Sequence, residues 1–210
     1  MRKEKVAILG GSRGLGAAVG EILLARQHET LIVSRKAPVS ASNAEWFASD
    51  FSQKSQWPLL INKINETQIE ILIYCAGGGP FGKFGDKAWR DQEWALTVTF
   101  ECPSYLAWEF CAGKNLTSVR KLIIIGSAVA GSAADPQASM YCAAKHGLQG
   151  LTASLKLEYP EKEIQLFNAP YMDTDMLPPG AWPRQTPGLV QPASDVAQNL
   201  VNSLLDGPTR

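Results

Sequence analysis

The sequence predicts an α/β fold: a doubly wound parallel sheet of six or seven strands with helices on both faces, in a single domain over residues 1–210. Two observations predict it. Short apolar runs rich in β-branched residues recur along the chain, and stretches of helical periodicity separate most of them. Parallel neighbours need such crossovers, and strands covered on both faces read as continuous apolar runs rather than alternating ones.

Val6 to Leu9 is the first strand. Leu15, Ala18, Val19, Ile22 and Leu23 follow it, spaced as one apolar stripe of a helix. Thr30 to Val33 is a second strand and Glu45 to Ala48 a short further one. Only about fifteen residues part Arg35 from Asp50, too few for a full helix plus strand, so this crossover is abbreviated. Helical periodicity over Trp57 to Ile64 leads to the strand Ile69 to Tyr74, and over Trp89 to Cys111 to the strand Lys121 to Ile125. Tyr141 to Leu157 reads as helix, Ile164 to Phe167 as strand and Val196 to Leu205 as the last helix. Met176 to Pro192 contains Pro178, Pro179, Pro183, Pro187 and Pro192, which lack the N–H that regular ladders need, so a surface loop is expected there.

A chain of 210 residues with 45% hydrophobic side chains can bury a core without disulfides or metals. Its 20 basic and 20 acidic side chains balance, so no net field draws it to nucleic acid or to a membrane surface. Leu122 to Ala134, the longest mostly apolar stretch, is broken by Gly126, Ser127, Gly131 and Ser132 and falls short of a membrane span. The apolar run after Arg2, Lys3 and Lys5 is too short for a signal peptide, and a cytoplasmic protein is expected. Cys75, Cys102, Cys111 and Cys142 show no C-x-x-C spacing and read as reduced thiols. His28 and His146 have no second ligand nearby, so they read as structural or solvated and no metal is expected.

In a Rossmann-like sheet the turn after the first strand is the usual phosphate cradle. Gly10, Gly14 and Gly16 allow a sharp turn, close approach of the backbone to a pyrophosphate and tight helix–strand packing; Ser12, Arg13 and Leu15 share the same turn. The helix start adds free N–H groups and a partial positive charge of roughly half a unit. The alternative is a tight turn without a ligand. NAD sites usually place an acid at the end of the second strand, but Val33-Ser34-Arg35-Lys36 has none. Arg13 and Arg35 could together hold a 2′-phosphate, unless both are ordinary solvated charges. NADP(H) is thus favoured over NAD(H).

Tyr141 and Lys145 lie four residues apart at the start of a helical pattern, hence on one face. Acid–base service near neutral pH asks a phenol to drop by roughly three pKa units, about 4 kcal/mol. An ammonium about 4 Å away supplies about 4 kcal/mol at an effective dielectric near 20. Taken alone, an ordinary surface pair on a helix explains this spacing equally.

Joined to the glycine turn, the pair resembles the short-chain dehydrogenase/reductase family, and the likeness runs over nearly the whole chain. It includes Asp50-Phe51, where the family contacts adenine, Cys75-Ala76-Gly77, where the family has N-A-G, and Asn168-Ala169-Pro170 with Thr174-Asp175-Met176, where it contacts nicotinamide and phosphates. The resemblance implies hydride transfer between a nicotinamide and a carbonyl or alcohol carbon of a small molecule. Tyr141 would donate the proton, Lys145 would hold the ribose hydroxyls and lower the tyrosine pKa, and Ser127 would hydrogen-bond the substrate oxygen.

The chain departs from the family pattern at several places. Ala128 stands where the family has its serine, one residue after Ser127, and Glu101 aligns with an asparagine that supports a water-linked proton relay. Leu9 replaces a threonine, and Pro170-Tyr171 replaces a proline-glycine pair. These departures leave open a second reading, an NADP(H)-binding sensor or scaffold without turnover. Nothing after Leu205 resembles the family's final strand, which often supports a tetramer, so a homodimer through the Trp89–Cys111 and Tyr141–Leu157 helices is expected. The substrate pocket is expected from Gly78 to Phe84, Ala133 to Met140 and the proline-rich loop, with the tryptophans, Trp182 among them, and Phe81 and Phe84 as apolar wall or as ordinary packing; Arg184 meets either an anionic substrate or water.

Overall fold

The computed structural model describes residues 2–41, 43–130 and 135–205. In chain order the elements are β1 (Lys5–Leu9), α1 (Gly14–Ala25), β2 (Glu29–Ser34), β3 (Glu45–Ala48), α2 (Trp57–Glu66), β4 (Ile71–Tyr74), α3 (Trp89–Leu96), α4 (Cys102–Ala112), β5 (Lys121–Ile125), α5 (Ser139–Glu158), β6 (Glu163–Phe167), β7 (Met172–Asp173), β8 (Gln191–Pro192) and α6 (Ala193–Leu205). Six strands form one parallel sheet in the order β3-β2-β1-β4-β5-β6, and β7 pairs with β8 in a small parallel ladder apart from it.

Period-two alternation in the strands divides the core into two layers. Ala7, Leu9, Leu72, Tyr74, Leu122 and Ile124 face one side, against Leu60 and Ile64 of α2 and Leu106 and Phe110 of α4. Val6, Ile8, Ile71, Ile73, Ile123 and Ile125 face the other, against Val19 and Leu23 of α1 and Val196, Leu200 and Val201 of α6. Both faces of the central strands are thus dry, as their unbroken apolar sequences require. The direction of winding reverses between β1 and β4, which opens a crevice beyond the carboxyl ends of those strands.

The crossover from β2 to β3 contains no helix among the described residues, as its length predicts. Ala41, 1% exposed, packs toward Gly20 of α1 in place of a helix. The helical pattern from Trp89 to Cys111 is one rod with a wide π turn, Thr97–Glu101, between α3 and α4. Pro103 has no N–H to offer the carbonyl of Thr99 four residues back, so the ladder slips by one residue there.

One expectation needs correction. Met176 to Pro192 is not wholly irregular: it includes a 3₁₀ turn, Trp182–Gln185, and the strand β8, where Gln191 N–H donates to Tyr171 C=O at 2.8 Å. Proline is tolerated there because the ladder is an edge only two residues long.

All four cysteines are free thiols. His28 Nδ1 accepts from Glu4 N–H at 3.1 Å, and His146 is exposed on α5. Among the described residues no helix is long and apolar enough to cross a membrane, and no three His, Cys, Asp or Glu side chains gather as metal ligands.

Candidate active site

The site grows from the turn after β1. Gly10 has φ +95°, and a Cβ there would lie 2.6 Å from the Ala76 backbone nitrogen, so only glycine lets β1 and the end of β4 run this close. A Cβ on Gly16 would overlap the Gly10 carbonyl oxygen, so α1 can start against the turn only without a side chain. Arg13 caps α1 in an extended conformation with no side-chain hydrogen bond, and the first turn holds no acid. The leading N–H groups therefore face the crevice without a side-chain acceptor, the arrangement that suits an anionic group.

The crevice is a cavity of about 530 Å³. Its wall includes Gly10, Ser12, Arg13, Gly14, Leu15, Gly16, Ser34, Arg35, Asp50, Phe51, Cys75, Ala76, Gly77, Ser127, Tyr141, Lys145, Pro170 and Thr174, so the fold gathers these candidate residues in one place. Some of these groups already have partners. Ser34 donates to Lys36 C=O at 2.6 Å and accepts from the Trp46 indole at 3.3 Å, which shapes the turn after β2. Asp50 Oδ1 takes Ser52 N–H and hydroxyl at 3.0 and 2.8 Å. Arg13 faces Asp175 across 3.8 Å, an exposed pair that holds neither charge firmly. A cavity of this volume, with uncapped N–H groups at one end, Arg13 at the start of α1 and Arg35 just after β2, fits a dinucleotide phosphate.

At the other end, the first turns of α5 bring Tyr141 and Lys145 onto one face. Lys145, 3% exposed, donates to Ile125 C=O at the end of β5 at 2.6 Å, and its Nζ lies 5.4 Å from the centre of the Tyr141 ring. The expected lowering of the tyrosine does not occur in this arrangement. Burial pushes the Tyr141 phenol up to about 12, opposed by its hydrogen bond with Ser127 and reinforced by Cys142, Asp135 and Tyr171. Burial likewise brings Lys145 down to about 8, opposed by Cys75. Desolvation favours the neutral form of each, and the lysine's hydrogen bond goes to a backbone carbonyl rather than to the phenol.

Ser127 lines the cavity, whereas Ala128 is exposed and begins a 3₁₀ turn with its N–H on Ala169 C=O at 2.8 Å. Glu101 is not at the cavity. It accepts from Thr97 at 2.8 Å and pairs with Lys54 at 2.9 Å, which holds its carboxyl below the usual range. The π turn instead places Thr99 inward: its buried hydroxyl bonds Gly78 N–H and C=O, both at 3.1 Å, beside Gly77, where an added Cβ would meet Lys145 Nζ at 3.5 Å. The aligned spacing had missed Thr99 because a π turn shifts the register of everything after it; Pro103 was the available signal.

Arg184 meets neither substrate nor bulk water alone. It clamps the loop over the cavity through Asp173 at 2.6 Å, Leu177 C=O at 3.0 Å and Thr174 C=O at 3.2 Å. Of the expected substrate pocket, Gly78, Gly79, Pro80, Phe81 and Ala138 line the cavity, while Phe84 is exposed away from it. Ala133 and Ala134 lie outside the described residues. Trp94, one of the expected tryptophans, and Asp135, within Ala133 to Met140, also line it, as does Tyr171, which sequence reasoning placed only as the replacement of a glycine.

Comparison with known proteins gives a consistent picture. A family model described as short chain dehydrogenase matches residues 4–181. The chain is 27% identical over 195 residues to hydroxysteroid 11-beta-dehydrogenase 1-like protein B of Xenopus laevis, a match that covers 83% of this chain and 66% of that protein. A solved short chain dehydrogenase family protein from Francisella tularensis subsp. tularensis SCHU S4 superposes with TM-score 0.83 at 18% identity, covering 98% of this chain and 92% of that one. A short chain dehydrogenase from Burkholderia cenocepacia J2315, solved in complex with NADP, superposes with TM-score 0.80 at 22% identity, covering 96% and 90%.

Proposed function

The chain belongs to the short-chain dehydrogenase/reductase family, and from that premise we propose that it is an NADP(H)-dependent oxidoreductase acting between the carbonyl and alcohol forms of a small molecule. The observation that carries this reading is the convergence of the glycine turn, Ser127, Tyr141 and Lys145 on one cavity. When bound, NADP(H) supplies or accepts the hydride. Gly10 to Gly16 and the start of α1 would hold the pyrophosphate, Arg13 and Arg35 the 2′-phosphate, Asp50 and Phe51 the adenine end, and Cys75 to Gly77 with Pro170 and Thr174 the remainder.

As the carbonyl carbon gains hydride, its π pair moves onto oxygen, which takes the Tyr141 proton; the phenol regains a proton from solvent. Ser127 donates to that oxygen while its charge grows. A phenol near 12 is fully protonated at neutral pH, and an alkoxide is more basic still, so the resting site is set for reduction. Lys145 adds positive charge beside the ring while it remains an ammonium.

A second reading, an NADP(H) binder without turnover, is favoured by one observation: Lys145 is spent on Ile125 C=O and leaves the phenol high. A panel of aldehydes, ketones and quinones with NADPH, followed at the nicotinamide absorbance, separates the two. The enzyme reading expects turnover that falls about 10²- to 10⁴-fold in Tyr141→Phe with NADPH affinity retained. Equal cofactor binding by both proteins with oxidation by neither supports the binder. The same proposal includes a cytoplasmic homodimer through the Trp89–Cys111 and Tyr141–Leu157 helices, where Trp108 and Leu157 stand exposed.

A further inference from the structure

The substrate end of the cavity has a polarity that neither the fold nor the cofactor requires. Asp135 lies just before α5 and lines the cavity. The Trp182 indole N–H donates to its Oδ1 and the Tyr171 hydroxyl to its Oδ2 at 3.5 Å, and the two rings meet edge to face at 5.4 Å. Cys142, next to Tyr141, donates its thiol to the Asp135 carbonyl at 3.7 Å, which ties this carboxylate to the first turn of α5. Its negative charge is close enough to add, after burial, to the upward push on the Tyr141 phenol.

Among the described residues no cation pairs with it. Among the described residues the cations on the cavity wall are Arg13, Arg35 and Lys145. Arg13 sits at the start of α1 and faces Asp175, Arg35 follows β2, and Lys145 donates to Ile125 C=O. Arg184, the remaining cation of the covering loop, is held by Asp173, Thr174 and Leu177. Residues 131–134 are Gly, Ser, Ala and Ala and carry no charge. A carboxylate accepts about four hydrogen bonds, and the indole and phenol use two of them.

Resting on the oxidoreductase reading above, we propose that the substrate is a carbonyl compound bearing a hydroxyl or ammonium donor beside the reacting carbon, bound by Asp135, and that carbonyl compounds bearing a carboxylate there are excluded. Asp135 thereby acts as a specificity determinant, oriented by Tyr171 and Trp182. Tyr171 stands where the resemblance expects glycine, so this chain supplies an orienting hydroxyl at a position that otherwise offers none.

The test uses methyl ketones of nearly equal size with NADPH: hydroxyacetone, aminoacetone, 2-butanone and pyruvate. A hydrogen bond to a charged acceptor is worth roughly ten- to a hundredfold, so kcat/KM for hydroxyacetone and aminoacetone is expected to exceed that for 2-butanone by at least about tenfold. In Asp135→Asn, which keeps shape and one acceptor, that advantage over 2-butanone shrinks at least about tenfold and pyruvate gains on 2-butanone by a similar factor. Because a ratio to 2-butanone within one protein cancels any effect of Asp135→Asn on Tyr141, turnover of 2-butanone together with ratios indifferent to Asp135→Asn overturns the specificity proposal and leaves the oxidoreductase reading intact. Binding gives a readout free of turnover. By calorimetry on the NADP-loaded protein, 1-amino-2-propanol is expected to bind more tightly than lactate, and Asp135→Asn to reverse the order. That reversal without turnover of any ketone sustains the role of Asp135 while the oxidoreductase reading fails; a preference for lactate in the unaltered protein overturns the role of Asp135.

Discussion

Tyr141 and Lys145 sit where a four-residue spacing puts them, yet burial moves both toward neutrality, the phenol to about 12 and the amine to about 8. The lysine therefore changes charge within a testable range. Reduction that uses its ammonium beside Tyr141 is expected to hold steady below neutral pH and to fall as pH rises through about 8. A profile of kcat/KM flat to pH values well above about 8 would contradict this assignment. Stability follows the same shift. The folded-state value lies below the free-lysine value of about 10.4, so the cost of burying the charge is fully present below about 8 and is relieved as pH rises between the two. The denaturation free energy of the wild-type protein relative to Lys145→Met is thus expected to increase across that window. The pair was legible in the sequence because spacing on a helix fixes a face. The direction of the tyrosine shift was not, because it depends on how deeply the ring is buried and on the bond from Lys145 to Ile125 C=O.

At the scale of elements, five strands of the sheet were legible from their apolar runs, and the short, largely exposed β3 and the abbreviated crossover before it were legible more weakly. Thr99 was not, since the π turn between α3 and α4 rotates it inward by a register slip that simple helical counting ignores. The start of α1 offers a controlled comparison. Gly16→Ala pushes a methyl into the Gly10 carbonyl and is expected to weaken NADPH binding by at least about tenfold, because shifting the helix start moves the N–H groups that face phosphate. Gly150→Ala on α5, where a Cβ meets nothing within 4 Å, is expected instead to leave binding alone and to stabilise the fold by about 0.5–1 kcal/mol. Fluorescence titration of NADPH and thermal denaturation measure both. Equal effects of the two substitutions on binding would remove the turn from the account.

For the whole molecule, the proposed dimer joins exposed Trp108 on α4 and Leu157 on α5, at 61% and 85% exposure, to the corresponding helices of a second copy. Light scattering is expected to give a dimer that Trp108→Arg or Leu157→Glu shifts toward monomer, whereas a compact tetramer refutes the arrangement. The cavity itself was legible as a set of residues, because strand order and the carboxyl ends of the strands fix where a ligand crevice opens. Its substrate-end polarity was hidden, since Asp135, Tyr171 and Trp182 are far apart in sequence and meet only through loops. The claim on which the account rests is that hydride crosses this cavity while Tyr141 gives the proton. Turnover of a reactive ketone with NADPH carrying deuterium on one or the other face of nicotinamide C4 tests it most directly. The account predicts that label from one face alone arrives on the alcohol carbon and that Tyr141→Phe suppresses the transfer. Label from both faces, or transfer undiminished in Tyr141→Phe, would contradict it.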